Sequence, residues 1–290
     1  MEYLLHLLVI ISIYATVAVA LDLCAGQAGM VSVAHAALFG IGAYSSAVVS
    51  VRVGLPFIMG LVTAIVVASV FSIMISLPIV RLRDDYFVIG TFVFQMIATN
   101  TFSSVDEITG GPLGLSGIPR PINLIEPFSP RVAMLAITIM TAGSCLWLTS
   151  RVVGSPYGRI LRAIREDELL PRSLGKRVFS TKIKTFALSA AITGACGSLY
   201  AHYMRHIDPG AFSVSESIFL ISMVIIGGAG SRWGPVLGAF ILILIPEALR
   251  FIGLTHTIAA HLRQILYGAL LVTFLIIRPR GLFGDFKFGN

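Results

Sequence analysis

The sequence predicts an all-α, polytopic membrane protein of about eight to nine transmembrane helices, a half-helix among them. Three observations carry that expectation. The mean hydropathy is +0.91, far above that of soluble domains. Charged residues make up only 12% of the chain against 56% hydrophobic ones. Apolar runs long enough to cross a bilayer recur throughout, and they are too long and too uniform for barrel strands. Lipid offers backbone groups no partners, so such runs must satisfy them internally, as helices. Residues 1–290 read as one transmembrane domain.

Nine apolar segments follow in order, at 3–22, 27–51, 56–80, 86–103, 131–150, 184–203, 215–229, 234–253 and 261–278. The first, "YLLHLLVIISIYATVAVALDLC", is not a signal peptide, because no Lys or Arg precedes Arg52 and Leu23 is too large for a lipoprotein cleavage position before Cys24. It reads as an uncleaved membrane helix. The second segment sets His35 nine residues after Gly26, about 13 Å along a helix and so near the midplane. A buried ionisable group there is a functional candidate, with a helix-to-helix hydrogen bond as the competing reading. Gln27, Ser32, Gln95 and Asn100 are neutral polar groups able to line a path for a polar solute.

The loop 104–130, "SVDEITGGPLGLSGIPRPINLIEPFSP" with the residues flanking it, is dense in Gly and Pro and excludes a regular helix. It reads as an ordered cap. The seventh segment is short and ends in "IGGAGSRWG", the composition of a half-helix or re-entrant turn. Small residues such as Gly40, Gly42 and the "SAAITGACGS" run let helices approach closely.

Orientation follows from Lys and Arg. With the N-terminus outside, the inner side holds fifteen of the 21 basic residues, nine of them between Arg151 and Lys184. The same bias explains the net charge of +7, since the basic residues sit in loops, and no nucleic-acid partner is implied. The N-terminus and the 104–130 loop are therefore expected outside, and 155–175 and the C-terminus in the cytoplasm.

Several chemistries are excluded or weakened. No G-x-x-x-x-G-K-[ST] phosphate loop exists, and "LGKR" at Leu174 lacks its first glycine. Cys24, Cys145 and Cys196 have no paired spacing and read as packing residues. His202 and His206 share a helical spacing but lack a third ligand, so they read as an interfacial pair and not as a metal site. No cofactor site and no convergent nucleophile or carboxylate pair is evident. Asp22, Glu216 and Glu247 stand near helix ends, Glu247 one turn from Arg250. The absence of a deep carboxylate argues against a carrier powered by protons or sodium.

The segment 155–175, "SPYGRILRAIREDELLPRSLG", is charge-dense in an otherwise apolar chain. Ser155 suits an N-cap and Pro156 the first helical position, Pro171 ends the run and Gly175 suits a turn. Ile160, Leu161 and Ile164 share one side, with Arg159, Arg162, Glu166 and Asp167 off it. Such a helix lies on a leaflet or docks into a partner's groove. Anionic headgroups repel the "REDE" cluster, which favours the partner.

The chain resembles the LivM-type permease subunits of bacterial ABC importers for branched-chain amino acids. The resemblance rests on "GQAGMVSVAHAALFGIGAYSSA" (26–47), "RLRDDYFVIGTFVF" (81–94), "TGGPLGL" (109–115), "GRILRAIREDELLPRSLG" (158–175) and "SIFLISMVIIGGAGSRWGPVLGA" (217–239). Asp85, Leu170 and Pro171 depart from the pattern. The resemblance implies an ABC importer permease fold in the bacterial inner membrane. It implies that 158–175 is a coupling helix seated on an ATPase, with Arg159, Arg162, Ala163, Arg165, Glu166, Asp167, Glu168 and Gly175 at that contact. It further implies a second, LivH-like permease, two ATPase subunits and a periplasmic solute-binding protein facing Thr109, Gly110, Gly111 and Arg120. The implied cargo is leucine, isoleucine and valine. Urea or short amides, and an autonomous channel or secondary carrier, remain alternatives.

Overall fold

The computed structural model describes residues 2–82, 84–121 and 130–250, with short pieces at 268–269, 272–273, 276 and 281–283. The ninth apolar segment as a whole, residues 122–129 of the loop, the Glu247–Arg250 pairing and the C-terminal orientation lie outside the described residues.

In chain order the helices are α1 (Glu2–Ala28), α2 (His35–Arg52), α3 (Phe57–Ile79), α4 (Asp84–Ser104), α5 (Asp106–Thr109), α6 (Pro130–Gly154), α7 (Pro156–Glu166), α8 (Leu169–Ser173), α9 (Val178–Met204), α10 (Val214–Gly227) and α11 (Gly234–Arg250). Two short strands, β1 (Leu115–Ser116) and β2 (His206–Ile207), pair antiparallel with Leu115 opposite Ile207. The β1–β2 pair marks one end of the bundle; α7 and α8 lie at the other.

α1 is the central helix. A helix apolar on all sides either faces lipid or is buried by other helices, and α1 is buried over its second half, where every residue from Ala15 to Ala28 is covered. It packs against α6, α9, α10, α11 and α7. It also runs six residues past the segment expected from the sequence, because Asp22, Gln27 and Gly26 find partners inside the protein.

α2, α3 and α9 form a second close-packed group held by small residues. A Cβ on Gly42 would collide with the backbone of Gly194, and one on Gly194 with Ala64 and Ala68 of α3. Gly227, Gly234 and Gly238 bring α10 and α11 together in the same way. Backbones this close gain dispersion contacts in lipid, where no hydrophobic force drives helices together.

One break corrects the reading of uninterrupted spans, and a second falls where the sequence places it. The second apolar segment, 27–51, is not one continuous helix: α1 runs on to Ala28, Gly29 takes φ +73° and α2 begins only at His35. The chain also turns through 205–213 before α10, which is 14 residues long and rises about 21 Å. Such breaks are tolerated inside a bundle where other segments supply the missing hydrogen bonds. α1, α3 and the Val132–Gly154 part of α6 are individually long and apolar enough to cross a membrane, and α4 with α5, bent by 77°, makes a fourth if it is one span. Among the described residues, the remaining helices are shorter or more polar than that measure requires.

Candidate functional site

The charged segment folds as two helices, not one. Ser155 caps α7, its Oγ accepting from Tyr157 N at 3.1 Å, and Pro156 occupies the first turn. The break comes at Asp167, whose backbone is extended and whose Oδ1 accepts from Leu169 N at 2.8 Å to start α8. Pro171 therefore does not end the run but sits buried inside α8. Gly175, φ +73°, turns the chain toward α9.

α7 buries Gly158, Leu161 and Ile164, half-buries Ile160, Arg162 and Ala163, and exposes Arg159, Glu166 and Asp167. Arg165 does not join that exposed set. Its side chain is 9% exposed, and its Nη1 donates to Gly26 O at 2.7 Å, over Gly29 at the end of α1. Gly29 needs to be glycine both for its positive φ and for this close approach. Glu168 likewise turns toward the body and pairs with Lys182 of α9. Tyr157 donates to Thr181 O at 2.9 Å and lies 2.9 Å from Thr185 Oγ1. Burial pushes its phenol above the usual range, against the Thr185 hydrogen bond that lowers it. The α7–α8 unit is thus anchored to α1 and α9, with one charged face left open.

From Gly26 the contacts continue inward. Asp22 Oδ1 accepts from Gly230 N at 2.8 Å, and Gln27 Nε2 donates to Gly230 O at 2.7 Å. α1 thereby grips both sides of one peptide residue in the turn between α10 and α11. Asp22 is 5% exposed and six residues short of the end of α1, so it is a buried carboxylate and not a helix-end group. No local pattern announces this grip, because the partner residue lies 208 positions away.

A cavity of about 300 Å³ opens between α1, α6 and this turn, lined among others by Asp22, Gln27, Trp147, Ser150, Arg232 and Trp233. A second, of about 450 Å³, shares Val153, Ser231, Arg232 and Trp233 with it and reaches Arg162 of α7. A third, of about 470 Å³, lies at the β1–β2 end beside His6, Arg120, His202 and Tyr203.

The five path residues expected from the sequence do not share one channel. Gln27 lines the 300 Å³ cavity. Ser32 Oγ accepts from Ala34 N at 3.2 Å within the break. His35, fully buried, opens α2, and its Nε2 lies 2.8 Å from Ser189 Oγ, which donates to Ala20 O at 2.5 Å. That hydroxyl proton is spent on Ala20, so Nε2 is the ring donor and Nδ1 the bare acceptor, without a partner among the described residues. Gln95 is a hub. Its Oε1 accepts from Ala37 N at 2.7 Å and Ser217 Oγ at 3.1 Å, and its Nε2 donates to Phe212 O at 2.7 Å. With Thr91, whose Oγ1 accepts from Val33 N, it replaces the hydrogen bonds lost where α2 and α10 begin. Asn100 is exposed on the other side of α4. Five residues turn a helix by about 140° net, so Gln95 and Asn100 cannot face one path.

At the opposite end, Thr109 and Gly111 are buried and Gly110 half-buried. Thr109 Oγ1 donates to Phe102 O and accepts from Gly111 N, and Gly110, φ +77°, ends α5. These three residues hold the cap together, while Leu113 (84% exposed), Ile108, Glu107 and Arg120 are the exposed side chains around them. His202 is buried rather than interfacial. Its Nδ1 donates to Pro119 O at 2.7 Å and its Nε2 accepts from Ser46 at 3.0 Å, tying α9 to α2 and the cap, while His206 is exposed on β2. Among the described residues no three potential metal ligands cluster.

The sequence model of the family described as "Branched-chain amino acid transport system / permease component" matches residues 3–275. The chain is 29% identical to the high-affinity branched-chain amino acid transport system permease protein LivM of Escherichia coli (strain K12), over 93% of this chain and 67% of that protein. It is 27% identical to LivH of the same organism, over 94% of this chain and 92% of LivH. It is also 26% identical to the autoinducer 2 import system permease protein LsrC of Klebsiella pneumoniae, over 56% of this chain and 49% of LsrC. No solved structure matches.

Proposed function

The chain belongs to the branched-chain amino acid transport permease family, and from that premise we propose that it is a membrane-spanning subunit of an ATP-driven importer of leucine, isoleucine and valine. The chain itself does no chemistry. One of two ATPase subunits binds the face of α7 and α8 in the cytoplasm, a LivH-like permease completes the pathway, and a solute-binding protein delivers cargo at the β1–β2 end. The N-terminus then faces outside, in line with the Lys and Arg bias.

The observation that carries this reading is the anchoring of α7. A helix with an open charged face on one side and Arg165 locked to Gly26 O on the other suits a lever that takes force from a partner. Movement of α7 reaches the end of α1 through Arg165, and α1 hands it to the 228–233 turn through Asp22 and Gln27. A ligand acts on such an equilibrium only through differential contacts in its two states, and ATP does so here through the partners. Zwitterionic cargo with an apolar side chain carries no net charge, so the pathway requires no unbalanced fixed charge along its length.

The test is reconstitution in proteoliposomes. Leucine uptake is expected only with the second permease, the ATPases, the binding protein and ATP all present. Flux through this chain alone would instead make it an autonomous channel or carrier.

A further inference from the structure

The 300 Å³ cavity has a chemistry beyond force transmission, although it shares Asp22 and Gln27 with that path. Its volume sits at the lower end of ligand-sized pockets. Two of its wall residues are buried oxygen acceptors. Asp22, 5% exposed, is a carboxylate. Gln27, 3% exposed, commits its Nε2 to Gly230 O, which identifies Oε1 as the acceptor, and Oε1 has no hydrogen-bond partner among the described residues. A buried acceptor left without a donor is unfavourable until a donor arrives. Both tryptophans in the chain, Trp147 and Trp233, line the same cavity, and Arg232 is the cation on its wall. Indole faces attract cations and cover apolar groups; Arg151 already lies 5.3 Å over the Trp147 ring.

We infer that this cavity is a subsite for a primary ammonium group on a short apolar body, with Asp22 and Gln27 Oε1 receiving the ammonium and the tryptophans covering the alkyl part. Resting on the function proposed above, the occupant is the branched-chain amino acid itself, its carboxylate toward Arg232. The adjoining 450 Å³ cavity, which shares Arg232 and Trp233 and reaches Arg162, continues the route toward α7. Because Asp22 and Gln27 also hold Gly230, occupancy and the position of the turn are set by the same two side chains. An aminophospholipid headgroup presents the same ammonium, and the experiment separates the two sources.

Since the chain's two tryptophans both line the cavity, its intrinsic fluorescence reads occupancy directly. The purified chain in phospholipid-free detergent is titrated with L-leucine, 3-methylbutylamine and 4-methylpentanoate. Leucine and the amine are expected to give a saturable emission change, and the acid lacking an ammonium to bind about tenfold or more weaker. Asp22→Asn, which keeps an oxygen for Gly230 N, should abolish the difference between amine and acid. Gln27→Met serves as the second variant and should weaken the amine response. No emission change, an equal response to 4-methylpentanoate, or an unaltered response in both variants overturns the inference. In nanodiscs, a change produced by phosphatidylethanolamine but not by leucine overturns the assignment to cargo. Leucine uptake by the complete importer is scored separately. Uptake without any fluorescence response rejects this subsite alone, whereas a response with no amino acid uptake rejects the proposed function alone.

Discussion

Arg165 Nη1 donates to the carbonyl oxygen of Gly26 at 2.7 Å, joining the charged α7 helix to the end of the central helix α1. The two residues are 139 positions apart. A buried guanidinium is committed here to a backbone group, so the contact transmits position and not merely charge.

Arg165→Ala removes that link and leaves Gly26 O without its donor. The expected loss is about 1–3 kcal/mol at this contact. Leucine uptake by the complete importer should fall while ATP hydrolysis by its partners continues. Paired uptake and hydrolysis rates check this, and a parallel loss of both would mean that Arg165 acts in assembly instead.

Gln95→Leu leaves Ala37 N and the Ser217 hydroxyl without their acceptor and Phe212 O with only the 3.3 Å bond from Thr99 Oγ1. Each buried group left unpaired costs about 1–3 kcal/mol. Thermal unfolding of the detergent-purified chain should shift down, and amide hydrogen exchange should rise first at the start of α2. Asn100→Leu, on the exposed side of the same helix, should leave both unchanged.

Gly42→Ala forces a methyl group into the backbone of Gly194 and should cost about 1–3 kcal/mol. A Cβ on Gly143 of α6 meets nothing within 4 Å, so Gly143→Ala should cost nothing. Unfolding midpoints of the two variants, measured side by side, decide whether close packing of α2 on α9 holds this group together.

At the cap, Thr109→Val removes three hydrogen bonds that shape the turn and should lower stability. Leu113→Glu alters a residue that is 84% exposed and should leave stability intact while weakening stimulation of ATP hydrolysis by the binding protein. Opposite results would return the docking role to Thr109.

Much of this was legible from residue patterns. The apolar segments, the Ser155 cap with Pro156, and the short α10 before its Gly-rich turn all follow from local chemistry. What escaped depends on partners far along the chain. The break before His35 is stable because Thr91, Gln95 and Ser217 replace its lost hydrogen bonds, and none of them is near it in sequence. Counting faces separated the apolar side of α7 from its charged side but could not tell that Arg165 would turn to a carbonyl of α1. Asp22 looked like a helix-end residue because the turn that encloses it was unknown. The resemblance places Thr109, Gly110 and Gly111 on the side of a partner, and the hydrogen bonds of Thr109 that shape the cap follow from no pattern in the residues.

The central claim is that force enters through the open face of α7. Replacing Glu166 and Asp167, both exposed, with lysine in the complete importer tests it most directly. Leucine uptake and the associated ATP hydrolysis should both drop, with the chain present in the membrane at its normal level. Unchanged uptake in that variant would contradict the account.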